Sequence, residues 1–253
     1  MGRAVIAVCN RKGGAGKTTT AVNVAACAAA GGRKVLLVDL DTQGHATVGL
    51  GLRPEALSDA VHGIFTDPGY DLRRALQRTR YGNLWLLPAR CDYQAVPVFS
   101  RREDALILRT ALDTLAGFDL VIIDSPPALD VLLLNALAAA SWVVIPVPLQ
   151  PLALEGLNLL IRTYFQMATV YQHGLNLIGI VPTMVDKRPR VSREMRRRLE
   201  VHVGVDNIMH GIRSDVRLAE SFRAGEPVIY YAPTSRGADD YRSLTRQILA
   251  IVG

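Results

Sequence analysis

Residues 10–19 read Asn-Arg-Lys-Gly-Gly-Ala-Gly-Lys-Thr-Thr, between a short apolar run and an alanine-rich segment. Three glycines within four positions let a backbone bend closely around a ligand. A strand, such a loop and a helix start, in that order, aim backbone N–H groups and the positive end of the helix dipole at one point, which suits phosphate. In the G-x-x-x-x-G-K-[ST] pattern the lysine, here Lys17, reaches the β and γ phosphates, and the hydroxyl, here Thr18, ligates Mg²⁺. Gly13, Gly14, Ala15, Gly16 and Thr19 complete the cradle. The pattern is not met in full: its first glycine falls on Arg11, and Lys12 adds a second cation at the start of the loop. A dinucleotide fingerprint is disfavoured, because after Gly14 and Gly16 its third glycine falls on Thr19.

Two acidic segments follow apolar runs: Val38-Asp39-Leu40-Asp41-Thr42-Gln43-Gly44 and Val121-Ile122-Ile123-Asp124-Ser125-Pro126-Pro127. A carboxylate at the carboxyl end of a parallel strand lies where open α/β sheets bind ligands. Lysine, a hydroxyl and carboxylates together suffice for phosphoryl transfer to water, which needs neutralised phosphate charge and a water held in line. A third chemistry is cationic. Residues 186–200 read DKRPRVSREMRRRLE. Projected as a helix, Val191, Met195 and Leu199 share one side, with Arg193 and Arg197 opposite and Arg196 on the flank. Lys187, Arg188 and Arg190 precede them in a basic loop. Such a face neutralises phosphates without reading bases; a merely solvated helix is the alternative. The net charge of +6 and pI near 9.5 favour a polyanion.

The elements that position these residues show in the apolar pattern. Near-continuous Val/Ile/Leu runs predict strands at 4–9, 35–39, 84–87, 120–124, 143–147 and 177–181, each covered on both faces. Helical patterns lie at 17–30, 103–115, 131–140 and 154–171. This alternation predicts an α/β fold, a mostly parallel sheet flanked by helices on both faces. The last third predicts helices at 192–203, 216–223 and 235–251, with short strands at 207–212 and 228–230, continuing a single domain over 1–253. Residues 63–70 and 91–99 read as loops. The final helix carries Tyr241, Leu244, Ile248 and Ile251 in a stripe expected to pack on the domain.

Cys9, Cys27 and Cys91 are scattered and read as reduced core thiols of a cytosolic protein. The five histidines show no ligand spacing. The most apolar stretch, 131–149, is interrupted by Asn135, Pro146 and Pro148, so no membrane span is expected.

The loop K-G-G-x-G-K-T with its extra Lys12 resembles the deviant Walker A loop of the ParA/MinD family of ATPases. Residues 38–44 resemble that family's D-x-D-P-Q-G, with Thr42 in place of proline, and residues 121–127 resemble its Walker B strand. Residues 182–188, 214–220 and 227–241 look like the tail of the ParA partition branch, as opposed to MinD. The resemblance implies a P-loop NTPase fold and a slow, Mg²⁺-dependent, partner-stimulated ATPase without an N-terminal helix-turn-helix domain. Lys12, Lys17 and Asp41 would be catalytic, Lys12 by crossing a homodimer interface to the partner's ATP. Asp39 would support the magnesium and lysine network. Thr18, Asp41 and Asp124 would hold the metal, directly or through water, and Pro182, Thr183 and Met184 would border the adenine. The ATP dimer would bind double-stranded DNA non-specifically through Lys187, Arg188, Arg190, Arg193, Arg196, Arg197 and Arg217, with Arg213 standing in for an arginine absent at 214–215. A ParB-like or other hydrolysis-stimulating partner would release it, positioning a plasmid, chromosome or protein organelle such as a carboxysome in the nucleoid-containing cytoplasm. The alternative is a MinD-like positioning ATPase on a membrane surface, which calls for a basic amphipathic tail beyond the last helix. An iron–sulfur ATPase on the same scaffold wants cysteines near residue 124, and none lies there.

Overall fold

The computed structural model describes residues 3–94, 102–150, 174–185 and 189–253, with positions 157, 160–164, 166 and 169 between. Its described strands are β1 Ala4–Val8, β2 Val35–Asp39, β3 Gln77–Arg78, β4 Leu84–Leu87, β5 Leu120–Asp124, β6 Trp142–Pro148 and β7 Asn176–Thr183. They form one sheet in the order β3-β4-β2-β5-β1-β6-β7. All neighbours are parallel except the short edge pair β3–β4. β1, β2 and β5 are buried along their whole length, as the continuous apolar runs require.

Helices cover both faces. On one, α1 Lys17–Ala30 and the C-terminal helix Arg236–Val252 pack over Ile6, Val8, Leu37 and Ile122. On the other, the helices Ile107–Asp113 and Val131–Ala139 pack over Val5, Ala7, Leu36 and Val121. Alternate residues of one strand therefore enter opposite cores, which is the period-two consequence of the pleat. α1 is nearly all Ala, Val and Thr, so it lies close against the sheet and holds its own N-terminus at the strand ends.

Several expectations need correction. Residues 103–115 do not form one helix: a 3₁₀ turn Arg102–Ala105 precedes Ile107–Asp113. The cause is Asn135, whose amide donates to the Asp104 carbonyl at 2.7 Å and whose oxygen accepts the Leu108 N–H at 2.9 Å. The strand expected at 207–212 is reduced to single parallel bridges, Ile180 with Ile208 and Val185 with Arg213. Pro182 in β7 offers that edge a carbonyl but no N–H, so a regular ladder cannot continue. Residues 228–230 are helical, within Val228–Tyr231, because Pro227 fixes the entry and the Asn23 side chain takes the Val228 N–H at 2.8 Å. Within the expected loop 63–70, residues up to Phe65 belong to a 3₁₀ turn, Val61–Phe65. Cys91 is exposed, since it sits in a turn where the chain leaves the sheet beyond β4. Tyr241, Leu244 and Ile248 are buried as a stripe, whereas Ile251, in the last turn, is not. The described positions from 157 to 169 are helical, and the rest of the expected helix at 154–171 lies outside the described residues.

Candidate functional site

The loop after β1 is held at its base by Asn10. Its amide donates to the Pro146 carbonyl at 2.6 Å, and its oxygen accepts the Lys12 N–H at 2.9 Å. Sequence reasoning gave Asn10 no role, because its partners belong to the neighbouring strand β6. Gly14 and Gly16 have φ of 70° and 88°, left-handed values that a side chain would strain. Gly16 caps α1, so the first amides of that helix open toward the loop. Lys17 is buried at the helix start, Thr18 and Thr19 are half-buried, and Gly13 and Gly14 are exposed. Lys12 is half-buried and stands at the loop's entrance.

Facing the loop are the carboxyl ends of β2 and β5. Asp39 and Asp124 are register partners there, and Asp124 also pairs with Val8 of β1. Asp39 accepts two bonds on one oxygen, from the Thr47 N–H and hydroxyl, both at 2.7 Å. Thr47 was missed by sequence reasoning; it carries no motif and arrives only because the helix His45–Gly49 turns back over β2. The other Asp39 oxygen and both Asp124 oxygens are buried without a hydrogen bond of ordinary geometry. Burial, foremost, pushes Asp39 up from 3.8 to about 7 against the Thr47 bonds. Asp124 is pushed up by burial and then by Asp39, while the nearby Thr18 hydroxyl and the Lys17 charge pull the other way. Asp41 is nearly buried, its side chain accepting the Gln43 N–H at 3.1 Å.

Three orphaned carboxylate oxygens beside a lysine and a hydroxyl mark a place that calls for a cation and its water. Among the described residues no three His, Cys, Asp or Glu side chains form a metal cage by themselves. A hard cation that keeps several waters and binds through one or two carboxylates plus phosphate oxygens, as Mg²⁺ does, fits this donor set.

A cavity of about 1140 Å³ opens beside the loop, lined among others by Gly16, Thr19, Thr183, Met184, Val216 and Phe222. Thr183 reaches the loop directly, its hydroxyl donating to the Ala15 carbonyl at 2.9 Å. Met184 has φ of 53°, a strained value that turns the chain at the cavity wall. Pro182 lies instead beside a second cavity of about 600 Å³ with Arg193, Arg196 and His210.

The cationic helix spans Pro189–Val203. Met195 and Leu199 are buried and Arg193, Arg196 and Arg197 exposed, as the projection places them, while the Val191 side chain lies outside the described residues. Glu194 and Glu200 hold Arg198 and Arg196 at 2.5 and 3.1 Å, so the face is less uniformly cationic than its spelling suggests. Lys187 and Arg188 lie outside the described residues, as does the Arg190 side chain. Arg217 lies in the first turn of another helix, Val216–Arg223, and pairs with Glu220 at 2.6 Å. Arg213 does not stand free as a replacement contact: its guanidinium and N–H make bonds of 2.7 to 3.1 Å to buried Asp240, which His210 also approaches at 3.2 Å.

A glycine loop between a parallel strand and a helix, faced by strand-end carboxylates, defines a P-loop nucleotide-binding α/β protein. Residues 3–177 match the model of an AAA domain family. Over 256 residues the chain is 37% identical to the sporulation initiation inhibitor protein Soj of Bacillus subtilis, covering 99% of each. It is 40% identical over 247 residues to the chromosome-partitioning ATPase Soj of Thermus thermophilus, covering 98% of this chain and 96% of the relative. The cobyrinic acid a,c-diamide synthase of Mycobacterium smegmatis, solved with an ATP analogue and magnesium, superposes with a TM-score of 0.82 at 34% identity, over 98% and 94% of the chains. The chain belongs to the ParA/MinD family of ATPases.

Proposed function

We propose that this partition-type ATPase binds MgATP at residues 12–19, dimerises around it, holds DNA non-specifically in that state and is released when a partner accelerates hydrolysis. The observation that carries the reading is the set of orphaned Asp39 and Asp124 oxygens opposite Lys17 and the loop amides. Anion-binding and cation-demanding groups converge at one place, as a magnesium-complexed triphosphate requires.

In this reading the loop amides and Lys17 neutralise the phosphates, and the cavity beside Thr183 and Met184 takes the base and ribose. Thr18, Asp41 and Asp124 hold the magnesium, directly or through water; bound, it supplies charge neutralisation at the phosphate oxygens. Asp41 orients the attacking water, and Asp39, fixed by Thr47, supports the network. Lys12 crosses to the partner's nucleotide and acts as an arginine finger does. DNA backbone is met by Lys187, Arg188, Arg190, Arg193, Arg196, Arg197 and Arg217. The helix bearing Arg217 also lines the nucleotide cavity, which gives the bound nucleotide a physical route to that face.

Support comes from the names borne by the full-length relatives, which include a chromosome-partitioning ATPase. The test is retention on plasmid DNA of arbitrary sequence with ATP, ADP or no nucleotide, across a salt series. The reading expects ATP-dependent retention that weakens steeply with salt and disappears in Lys12→Ala together with dimerisation. Nucleotide-independent or salt-insensitive retention refutes it. Pelleting with anionic vesicles, in ATP only, marks the membrane alternative. ATP consumption that depends on an ammonia donor and a carboxylate acceptor marks an amide synthase instead.

A further inference from the structure

His62 is fully buried in the 3₁₀ turn Val61–Phe65, and the reading above leaves it without a role. Both its ring nitrogens are engaged. Nε2 lies 3.2 Å from the Leu40 carbonyl oxygen, and Nδ1 accepts the Arg90 backbone N–H at 3.0 Å. A carbonyl only accepts and an amide only donates, so the two bonds demand the neutral ring protonated at Nε2. Burial, the largest cause, lowers the imidazole to about 4, in keeping with that form.

The Leu40 carbonyl belongs to the peptide whose nitrogen is Asp41's. From the opposite side, the Leu40 N–H donates to the Asp124 carbonyl at 3.0 Å. The residue between Asp39, at the end of β2, and Asp41 is thus held by the adjacent strand on one side and by His62 on the other. Asp41 closes local bonds, its side chain accepting from Gln43 at 3.1 Å and its carbonyl from Gly44 at 2.8 Å, while its own N–H faces the Asp39 carboxylate. The setting of its peptide against the sheet therefore rests on the two residues before it, Asp39 and Leu40. Beyond His62, Tyr93 stacks on the ring at 4.8 Å, and Pro88 accepts the Val61 N–H at 2.9 Å. The Ala89 N–H reaches the Thr47 hydroxyl at 3.2 Å, and Thr47 in turn holds Asp39. Residues 88–93 hence touch Asp39 through Thr47 and Asp41 through His62.

We propose that His62 is a positioning residue for hydrolysis: by gripping the Leu40 carbonyl and the Arg90 amide together it sets Asp41 against the phosphate loop and ties that setting to residues 88–93. The inference rests on the assignment of Asp41 to water orientation. His62 acts through that residue and touches no reacting atom, so its loss affects turnover and spares ground-state binding, which the loop and Lys17 supply. Misplacement of a catalytic group by an ångström is enough to lower the rate by about a hundredfold.

The test compares His62→Phe, which keeps a ring against Tyr93 but loses both bonds, with His62→Gln, whose amide again sets a donor nitrogen and an acceptor oxygen on a common carbon. ATP turnover is measured beside the affinity for a fluorescent ATP analogue, with circular dichroism as the check of fold. His62→Phe is expected to lose between about tenfold and about a hundredfold in kcat with affinity unchanged within about twofold, and His62→Gln to recover most of the loss. Unchanged kcat in His62→Phe, a parallel fall in affinity, or a glutamine variant as slow as the phenylalanine one overturns the inference. If His62→Phe does not fold, His62→Asn, too short to span both partners, takes its place in the same comparison. Asp41→Asn separates the two levels. If Asp41→Asn turns over as the wild type does, the reading of the site itself fails; if it is inactive while His62→Phe is fully active, only the present inference falls.

Discussion

Asp39→Asn tests the electrostatics of the site most directly. Asp39 is fully buried beside Asp124, and burial, before any other cause, raises it from 3.8 to about 7. In the unfolded chain the same group loses its proton near its ordinary value. Between those two values the folded state binds more protons than the unfolded one, so stability falls as pH rises through this window. At about 1.4 kcal/mol per pH decade the full loss is roughly 4 kcal/mol, of which about 3 falls between about pH 5 and about pH 8. Asparagine does not titrate, still accepts both Thr47 bonds, and puts a donor where Asp39 has an orphaned oxygen. Chemical denaturation of the nucleotide-free protein across that range is therefore expected to show a decline in the wild type that is smaller by up to about 3 kcal/mol in Asp39→Asn, where Asp124 remains raised by its own burial. The same decline in both proteins would refute the raised titration of Asp39. Added MgATP should flatten the wild-type profile, because a bound cation compensates the charge that burial disfavours.

Asp240→Ala is expected to lower stability by about 2 to 3 kcal/mol in denaturant titrations, since it strands the Arg213 guanidinium and amide bonds. Burial works against the Asp240 charge, but the Arg213 and His210 bonds more than offset it and hold it below the usual carboxylate range. Its contribution is therefore present above that ordinary value and is lost on further acidification, the opposite sense to Asp39. Gly51 and Gly225 meet backbone to backbone with φ of 80° and 64°, and a Cβ on Gly51 would stand 2.9 Å from the Gly225 carbonyl oxygen. Alanine at either position should cost about 2 kcal/mol or more in thermal unfolding, and a neutral effect would refute the close approach. Thiol labelling of the native protein should modify Cys91 first and Cys9 only on unfolding, because burial pushes the Cys9 thiol up to about 12 while Cys91 is exposed. Mass spectrometry of partially labelled protein reads the order.

The sequence by itself determined the parallel sheet and the phosphate loop. β2, β4 and β5 fall on the expected bounds, and α1 starts at Lys17, because a strand buried on both faces must be apolar throughout and a loop that cradles phosphate must be rich in glycine. The motif residues Lys17, Asp39, Asp41 and Asp124 were visible for the same reason: each sits at a strand end or helix start that local pattern marks.

What only the tertiary structure decided depends on partners far apart in the chain. Asn10 is defined by Pro146, Thr183 by Ala15, and His62 by Leu40 and Arg90. The arginines differ in the same way. Arg213 reads like the other basic residues of this third of the chain, yet it is bound to an aspartate 27 positions away, which no local pattern announces. A local pattern records which face of an element is apolar. Which polar group meets which across the sheet is set by the chain's path, and on that path depend the raised carboxylates of the site and the histidine behind them.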